Sequence, residues 1–265
     1  MRFINRQPGP GGRWLLALLP LVLLLAVYAV ASSLRLAENP DDRLLPSAAQ
    51  MADAVWRMAF TEDERSGEIL WWSDTGASLK RLLLGIGVAA LLSLCLGIAA
   101  GSFALLGATL SPLMAVVSMI PPLAILPILF IVFGLDELSK VMLIVIGITP
   151  VLARDLEQRA REIPAEVLVK AQTLGANSWT VVLRVVLPLL LSRLFVSLQL
   201  MLGAAWLFLI SAEAISATSG LGYRIFLVRR YLSMDVIFPY VLWITLLAIL
   251  TDILLDRLRI AVFPW

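Results

Sequence analysis

Histidine is absent from this chain of 265 residues, and cysteine occurs once, as Cys95. Without histidine, neither a Ser-His-Asp triad nor a histidine-ligated metal site can form. One cysteine allows no intrachain disulfide and no cysteine metal cluster. Because Cys95 lies inside an apolar segment, we expect it to be a small buried side chain. The sequence therefore offers no catalytic, metal-binding or cofactor-binding residue to name.

Charged side chains are also scarce. They make up 15% of the residues, 60% of the residues are hydrophobic, and the formal net charge of +2 gives no reason to expect a nucleic-acid partner. Soluble domains carry about 25% charged and about 45–50% apolar residues. Here the apolar excess is gathered into runs of roughly 18 or more residues, the length that crosses about 30 Å of hydrocarbon as a helix. The sequence therefore predicts an all-α protein embedded in membrane lipid.

About six transmembrane helices are predicted from these runs. They cover approximately residues 14–33, 82–103, 105–133, 138–152, 188–212 and 236–255. Arg2, Arg6 and Arg13 precede the first run and place the N-terminus in the cytoplasm, and counting spans then places the C-terminus there as well. The alternative for the first run is a signal peptide cleaved near Ala29-Val30-Ala31.

The predicted spans divide the chain into five parts. These are a cytoplasmic tail (1–13), a first transmembrane helix (14–34), a periplasmic loop (35–74), a five-helix core (75–258) and a cytoplasmic C-terminal tail (259–265). In the periplasmic loop, Ser47 and Gln50 form a capping box that opens a short amphipathic helix to about Phe60. This helix could lie on the outer membrane surface or pack on the spans. Inside the core, residues 153–187 form a polar cytoplasmic loop.

Two spans carry small or helix-breaking residues. Gly97 and Gly101 lie four residues apart in the second span, a spacing that lets another helix approach closely in lipid. Pro121, Pro122 and Pro127 interrupt the third span, so this helix should bend or split inside the membrane. Broken helices at this depth often border a substrate path, and a merely kinked packing helix is the alternative. We therefore include Pro121 and Pro122 in a candidate translocation path.

The polar loop contains the stretch EIPAEVLVKAQTLGANSWTVVLRVVLP, residues 162–188. Pro164 can begin a helix, and Gly175 can end it. Asn177 or Ser178 can then cap a second helix that enters the membrane. The stretch therefore predicts a short helix, a tight turn and a second helix on the cytoplasmic face.

The first of these helices is amphipathic. Val167, Ala171 and Leu174 share one face, and Glu166 and Lys170 are spaced for an ion pair one turn apart. An apolar helix face that is presented to water needs a groove on another protein.

These residues resemble the cytoplasmic EAA loop of ABC importer permeases, in which E-A-A, three residues, Gly, nine residues and I-x-L-P recur. Lys170-Ala171-Gln172 stand at the E-A-A positions, Gly175 at the Gly, Val185 at the Ile and Leu187-Pro188 at L-P. Lys170 and Gln172 depart from the pattern. The resemblance implies that this coupling helix inserts into a cleft of an ATPase subunit. The residues that would dock are Ala165, Glu166, Val167, Leu168, Lys170, Ala171, Gln172, Leu174, Gly175, Ala176 and Ser178.

The resemblance extends over nearly the whole chain. The segments Leu44–Ser47, Ser78–Gly85, Ile120–Pro122 and Ala212–Tyr223, together with Pro127, are similar to the nitrate/sulfonate/taurine branch of these permeases. Gly222–Tyr231 and Phe263–Trp265 look like a narrower group associated with urea or guanidine. The resemblance implies the type I ABC importer permease fold in a bacterial inner membrane, a homodimer, and a periplasmic binding protein. ATP would be hydrolysed by a separate subunit, since the chain lacks the phosphate-binding motif G-x-x-x-x-G-K-[ST].

Glu213 lies near the outer end of the fifth span, just before Gly220 and Gly222. An ionisable group at membrane depth is costly and often functional. A cationic substrate such as guanidinium would suit it, so Glu213, Gly220 and Gly222 complete the candidate path. The alternative is a structural ion pair with an arginine such as Arg224.

Two other classes of protein remain open from the residues alone. A secondary transporter would need no ATPase, although it usually shows repeated halves, and we see no internal repeat. A membrane-embedded enzyme would have to use aspartyl or Ser-Lys chemistry.

Overall fold

The computed structural model describes residues 9–39, 42–64 and 66–263, and within these ranges it consists of helices and connecting turns without a strand. The predicted all-α class is therefore confirmed. Arg2 and Arg6, the side chain of Arg13, and the final Pro264-Trp265 lie outside the described residues. The helices are α1 (Pro10–Glu38), α2 (Ala48–Phe60), α3 (Leu70–Ser102), α4 (Ala104–Val117), α5 (Leu126–Phe133), α6 (Glu137–Arg161), α7 (Ala165–Thr173), α8 (Ser178–Val181), α9 (Leu187–Ser216), α10 (Leu221–Val228) and α11 (Met234–Val262).

Four helical segments of the described chain are long and apolar enough to cross a membrane. They are Leu15–Glu38, Leu70–Ser102, Ser178–Ser216 and Met234–Val262. The bent pair Ala104–Val117 and Pro122–Phe133 could make a fifth. The remaining predicted span lies in α6, which is too charged to count with these four because it carries Lys140, Arg154 and Asp155.

Helix α6 is the centre of the bundle, and α3 and α9 pack on it most extensively. Its side chains Leu143, Ile144, Ile148, Leu152 and Leu156 are almost fully buried. A central helix shielded on several sides can carry charges that a lipid-facing helix could not. This position explains the buried Lys140 of α6, whereas Arg154 is exposed.

The glycines of α3 allow this packing. A Cβ added to Gly97 would lie 2.6 Å from Cβ of Leu156, and one added to Gly85 would lie 2.8 Å from Cβ of Ile144. Gly101 meets Ala160 of α6 in the same way. The predicted close approach of a helix at Gly97 and Gly101 is confirmed.

The third predicted span is broken where the prolines are. Helix α4 ends at Val117, Pro121 is extended, and a 3₁₀ turn from Pro122 to Ile125 leads into α5. The two halves are bent by 82°. This bend confirms the predicted break. Its physical reason is that a proline offers no backbone N–H to the helix hydrogen bonds.

Helix α2 has the predicted cap. The backbone N–H of Gln50 donates to Oγ of Ser47 at 3.2 Å, and the N–H of Ser47 donates to Oε1 of Gln50 at 2.7 Å. Ala54 and Ala59 are buried against α3 and α11. Of the two predicted placements, α2 therefore adopts the one that packs on the spans.

Two expectations for α3 were wrong. Cys95 is exposed rather than buried, on a face shared with the exposed Leu91 and Leu92. An apolar residue in a membrane helix can face lipid as well as the core, so apolarity alone did not predict burial. The helix also begins at Leu70, well before the predicted span, and its first three turns include the buried side chain of Asp74.

Candidate functional site

The docking segment, which we define as residues 165–178, begins and ends as its sequence predicts. Helix α7 follows Pro164 and ends in a Schellman turn, in which Ala176 donates to Ala171 O at 3.0 Å and Gly175 donates to Gln172 O at 2.9 Å. Gly175 has φ +85°, a conformation that favours glycine. The turn fixes the direction in which the chain leaves α7.

Asn177, rather than Ser178, caps the helix that follows. Its Oδ1 accepts from the N–H of Thr180 at 2.8 Å. From Ser178 to Ser216 the chain is helical without a gap, through a π turn at Val182–Val186 and then α9. The docking segment is therefore joined directly to a membrane-spanning helix.

The docking segment presents apolar side chains to solvent. Leu174 is 89% exposed, and Val167 and Val169 are exposed as well. Ala171 instead packs against the core, so the predicted face of Val167, Ala171 and Leu174 is divided between two sides of the helix. Of the predicted docking residues, Leu168, Ala171 and Ala176 are half-buried, and the exposed ones are Ala165, Glu166, Val167, Lys170, Gln172, Leu174, Gly175 and Ser178.

Glu166 and Lys170 are both exposed and form no ion pair in the part of the chain that the structure describes. The predicted pair was wrong in this state, and both charges are free to meet another molecule. The docking segment thus combines apolar surface with an acid and a base.

A second group of polar residues lies buried among the helices. Glu213 is 0% exposed, and its carboxylate accepts from Nη1 of Arg81 at 2.7 Å. Oγ of Ser78 donates to the same carboxylate at 2.8 Å, and the N–H of Gly222 donates at 2.8 Å. A buried carboxylate is tolerated when it is paired and hydrogen-bonded in this way.

The alternative partner, Arg224, is engaged elsewhere. Its Nε donates to Oδ2 of Asp74 at 2.7 Å, and the N–H of Gly220 donates to Oδ1 of Asp74 at 2.8 Å. The expected structural ion pair of Glu213 with an arginine is therefore confirmed, but the arginine is Arg81 rather than Arg224. We call Asp74, Ser78, Arg81, Glu213 and Arg224 the buried charge cluster.

Arg81 extends the buried charge cluster to α6. Its Nη2 donates to Oε1 of Glu137 at 2.7 Å, and Nζ of Lys140 donates to the same carboxylate at 3.2 Å. Arg81 is itself only 3% exposed. One guanidinium thus ties α3 to both α6 and α9.

Gly220 and Gly222 pack around Glu213. A Cβ on Gly220 would lie 2.6 Å from Cδ of Glu213, and one on Gly222 would lie 2.6 Å from the carbonyl oxygen of Ile210. The structure brings these three predicted path residues together in a packed interior. Pro121 and Pro122 lie instead at the break between α4 and α5.

Sequence reasoning missed Asp74, Ser78 and Arg81. A signal was present, since these polar residues recur at helical spacing on one face of α3. Charged residues near the start of an apolar run also mark the boundary of a membrane span, so this polar face of α3 was interpreted as a boundary.

A groove of about 630 Å³ lies along the contact between α4 and α6, and we call it the α4–α6 groove. Its polar lining consists of Ser111, Arg154, Asp155, Glu157, Gln158 and Arg161. Glu157 accepts from Nη2 of Arg161 at 2.7 Å, so these two charges neutralise each other. Nη1 of Arg154 donates to Oγ of Ser118, the residue that follows the last turn of α4, at 2.8 Å.

Comparison with known proteins gives the same fold. A chain of the MetNI methionine ABC transporter, solved in inward-facing conformations, matches with a TM-score of 0.57 and 19% identity, over 76% of this chain and 99% of that one. At this identity the likeness concerns the fold alone, and it agrees with the predicted permease fold.

Sequence relatives give the family. The family described as binding-protein-dependent transport system inner membrane component matches residues 93–264. The taurine transport system permease protein TauC of Escherichia coli K12 is 30% identical over 92% of this chain and 87% of its own length. The putative aliphatic sulfonates transport permease protein SsuC of the same strain is 31% identical over 94% of this chain and 93% of its own. The chain therefore belongs to the binding-protein-dependent inner membrane component family, as the membrane-spanning permease subunit of an ABC importer and neither an enzyme nor a secondary transporter.

Proposed function

We propose that two copies of this chain, embedded in lipid, form the membrane unit of an importer for a small organic sulfonate. A periplasmic binding protein delivers the solute, and ATPase subunits dock on the cytoplasmic face. The exposed apolar surface of the docking segment is the observation that carries the proposal. Both termini are cytoplasmic in this arrangement.

The docking argument starts from Leu174. The side chain of Leu174 is 89% exposed. Its complete burial by a partner would contribute about 1.5–3 kcal/mol to the free energy of association. Val167 lies two turns before Leu174 on the same face and adds to this surface, and Val169 is exposed on another face of α7. A short helix that offers apolar side chains suits the helix-in-groove mode of recognition.

Coupling follows from the way the docking segment joins α9. The Schellman turn at Gly175 and the cap at Asn177 fix the connection, and the helix then continues into the membrane. A shift of the docked helix therefore moves α9. ATP and the loaded binding protein would each favour one of two states of the membrane unit, inward-open or outward-open.

The sulfonate class is favoured over urea or guanidine for two reasons. The relatives named for taurine and aliphatic sulfonates match nearly the whole chain at 30% and 31% identity. Glu213, the acid that suggested a cationic substrate, already has Arg81 as its counter-ion. No charge is left on this carboxylate for a guanidinium to neutralise.

Docking is tested with Gly175→Asp. Nothing lies within 4 Å of a Cβ at this position, and Asp tolerates positive φ, so the subunit should fold while a partner seated on the turn is repelled. We expect about tenfold or greater loss of the ATPase in co-purification, since several contacts of about 1 kcal/mol or more are at stake. The readouts are co-purification with the cognate ATPase, and ATPase activity with and without loaded binding protein.

Gly67→Asp is the matched control. Gly67 also has positive φ, +67°, and also has nothing within 4 Å of a Cβ, but it lies in the loop between α2 and α3 on the other side of the membrane in this proposal. It should leave association unchanged. Normal ATPase association of Gly175→Asp would refute docking through this segment.

The substrate class is tested in proteoliposomes that contain the chain, its ATPase and its binding protein. We expect ATP-dependent uptake of taurine or methanesulfonate and none of guanidinium or urea. Accumulation of guanidinium or urea without either sulfonate would overturn the proposed class.

A further inference from the structure

Arg154 is the charged residue that reaches the break in the split span. Its guanidinium donates to Ser118, one residue beyond the end of α4 and just before the turn that contains Pro121 and Pro122. It also lines the α4–α6 groove. A cation is thus held beside the interruption of a membrane helix.

Helix α6 continues without a break beyond residue 152, where the predicted fourth span ends, and Arg154 lies in its second half. At 1.5 Å per residue it lies roughly 25 Å from Glu137, the start of the helix, which is less than the thickness of a hydrocarbon core of about 30 Å. Charged side chains inside a membrane face a bundle interior or a water-filled cavity rather than lipid. The exposed side of the α4–α6 groove is therefore best explained as a surface that meets water.

Other arginines, rather than Arg154, pair with the carboxylates of this part of α6. Asp155 and Glu162 pair with Arg159, and Glu157 pairs with Arg161. Within the described ranges, no carboxylate lies within ion-pair distance of Arg154, and its one side-chain hydrogen bond is to neutral Ser118. A guanidinium has five N–H donors, so most of them remain available to an anion.

A structural role accounts for part of this arrangement. A cation at the C-terminal end of α4 is favourable because it meets the negative end of the helix dipole. That role uses the bond to Ser118 and leaves the other donors unexplained. It also does not require the full width of a guanidinium, which matches sulfonate and carboxylate oxygens in pairs.

We propose that the α4–α6 groove forms the inner part of the translocation path and that Arg154 contacts the anionic group of the substrate there. The inference rests on the proposed function, because it assumes that the imported solute carries a sulfonate group. Arg154 would hold the anion at the break after the outer side has closed, and release it when water reaches the groove from the cytoplasm.

A cysteine experiment tests both halves of the proposal. In a Cys95→Ala background, Arg154→Cys carries the single thiol of the chain. We expect taurine uptake to fall about tenfold or more, the value of a charge-assisted hydrogen bond, and water-soluble methanethiosulfonates to label the site. Aminoethyl methanethiosulfonate, which restores a cation, should recover uptake, and sulfonatoethyl methanethiosulfonate, which adds an anion, should not. A thiol that reacts with neither reagent, or equal uptake after both, would overturn the proposal.

Two variants separate substrate contact from capping of α4. Ser118→Ala removes the hydrogen bond but keeps the cation, and should retain most of the uptake. Arg154→Lys should raise the substrate concentration for half-maximal uptake and leave ATPase co-purification intact. If Ser118→Ala is as impaired as Arg154→Gln, Arg154 is only a cap. If liposomes with the wild-type transporter take up neither taurine nor methanesulfonate, the proposed function itself is refuted. If the wild-type transporter is active and the Arg154→Gln variant takes up substrate equally well, only the role of Arg154 is refuted.

Discussion

The buried ion pair between Arg81 and Glu213 should be essential for the stability of one subunit. In Arg81→Met the carboxylate of Glu213 keeps the donors of Ser78 and Gly222 but loses the charge that compensates it. Glu213 is fully enclosed, so water cannot replace the guanidinium. Glu137, the other partner of Arg81, has a side chain that is 64% exposed and can be solvated instead.

The size of the effect follows from this asymmetry. Removing one partner of a buried ion pair costs about 3–5 kcal/mol, because a charge remains without compensation. Loss of the half-exposed contact to Glu137 adds about 1 kcal/mol at most. In Arg81→Met/Glu213→Gln the buried charge is gone, and the amide oxygen can still accept from Ser78 or Gly222. We expect the double variant to recover most of the lost free energy of unfolding.

The measurement is equilibrium unfolding in mixed micelles, with the free energy of unfolding compared over a double-mutant cycle. Arg259→Met is the matched control, because Arg259 pairs with Asp256 at 2.7 Å while both side chains are partly exposed. This control should cost about 1 kcal/mol or less. The reasoning would be refuted if Arg81→Met destabilised the subunit no more than Arg259→Met, or if the double variant were less stable than Arg81→Met alone.

Two further predictions concern α3. Gly97→Val should lower the thermal stability and yield of the detergent-solubilised subunit, since a Cβ there would lie 2.6 Å from Leu156. Gly87→Val should be tolerated, because nothing lies within 4 Å of a Cβ at that position. Equal melting temperatures for the two variants would contradict the packing. Cys95→Ala should change the free energy of unfolding by no more than about 0.5 kcal/mol, because the thiol is exposed, and a loss of several times that amount would show that the thiol is packed.

Local chemistry made parts of this structure predictable. The break at Pro121 and Pro122, the box of Ser47 with Gln50, and the turn at Gly175 each depend on residues that are neighbours in sequence. Backbone donors, acceptors and allowed φ angles decide such features within one or two turns. The sequence therefore predicted where α7 begins and ends and where the next helix is capped.

Pairing between distant helices was not predictable in the same way. Glu213 was expected beside Arg224, which is near in sequence, but it pairs with Arg81, 132 residues away. A single sequence does not say which faces of two spans meet, so a buried charge cannot be assigned its partner. The predictions for Ala171 and Cys95 were wrong for the same reason. Whether each side chain is buried or exposed depends on what lies opposite its face of the helix.

The π turn at Val182–Val186 determines how the docking segment is oriented relative to α9. A π turn holds one residue more than the α-helical turn it replaces, and each residue rotates a helix by about 100°. The angular position of the docking segment about the axis of α9 therefore depends on the number of residues in the π turn. Losing a single residue there would swing Leu174 roughly a quarter of the way round that axis, while every side chain of the docking segment stayed the same.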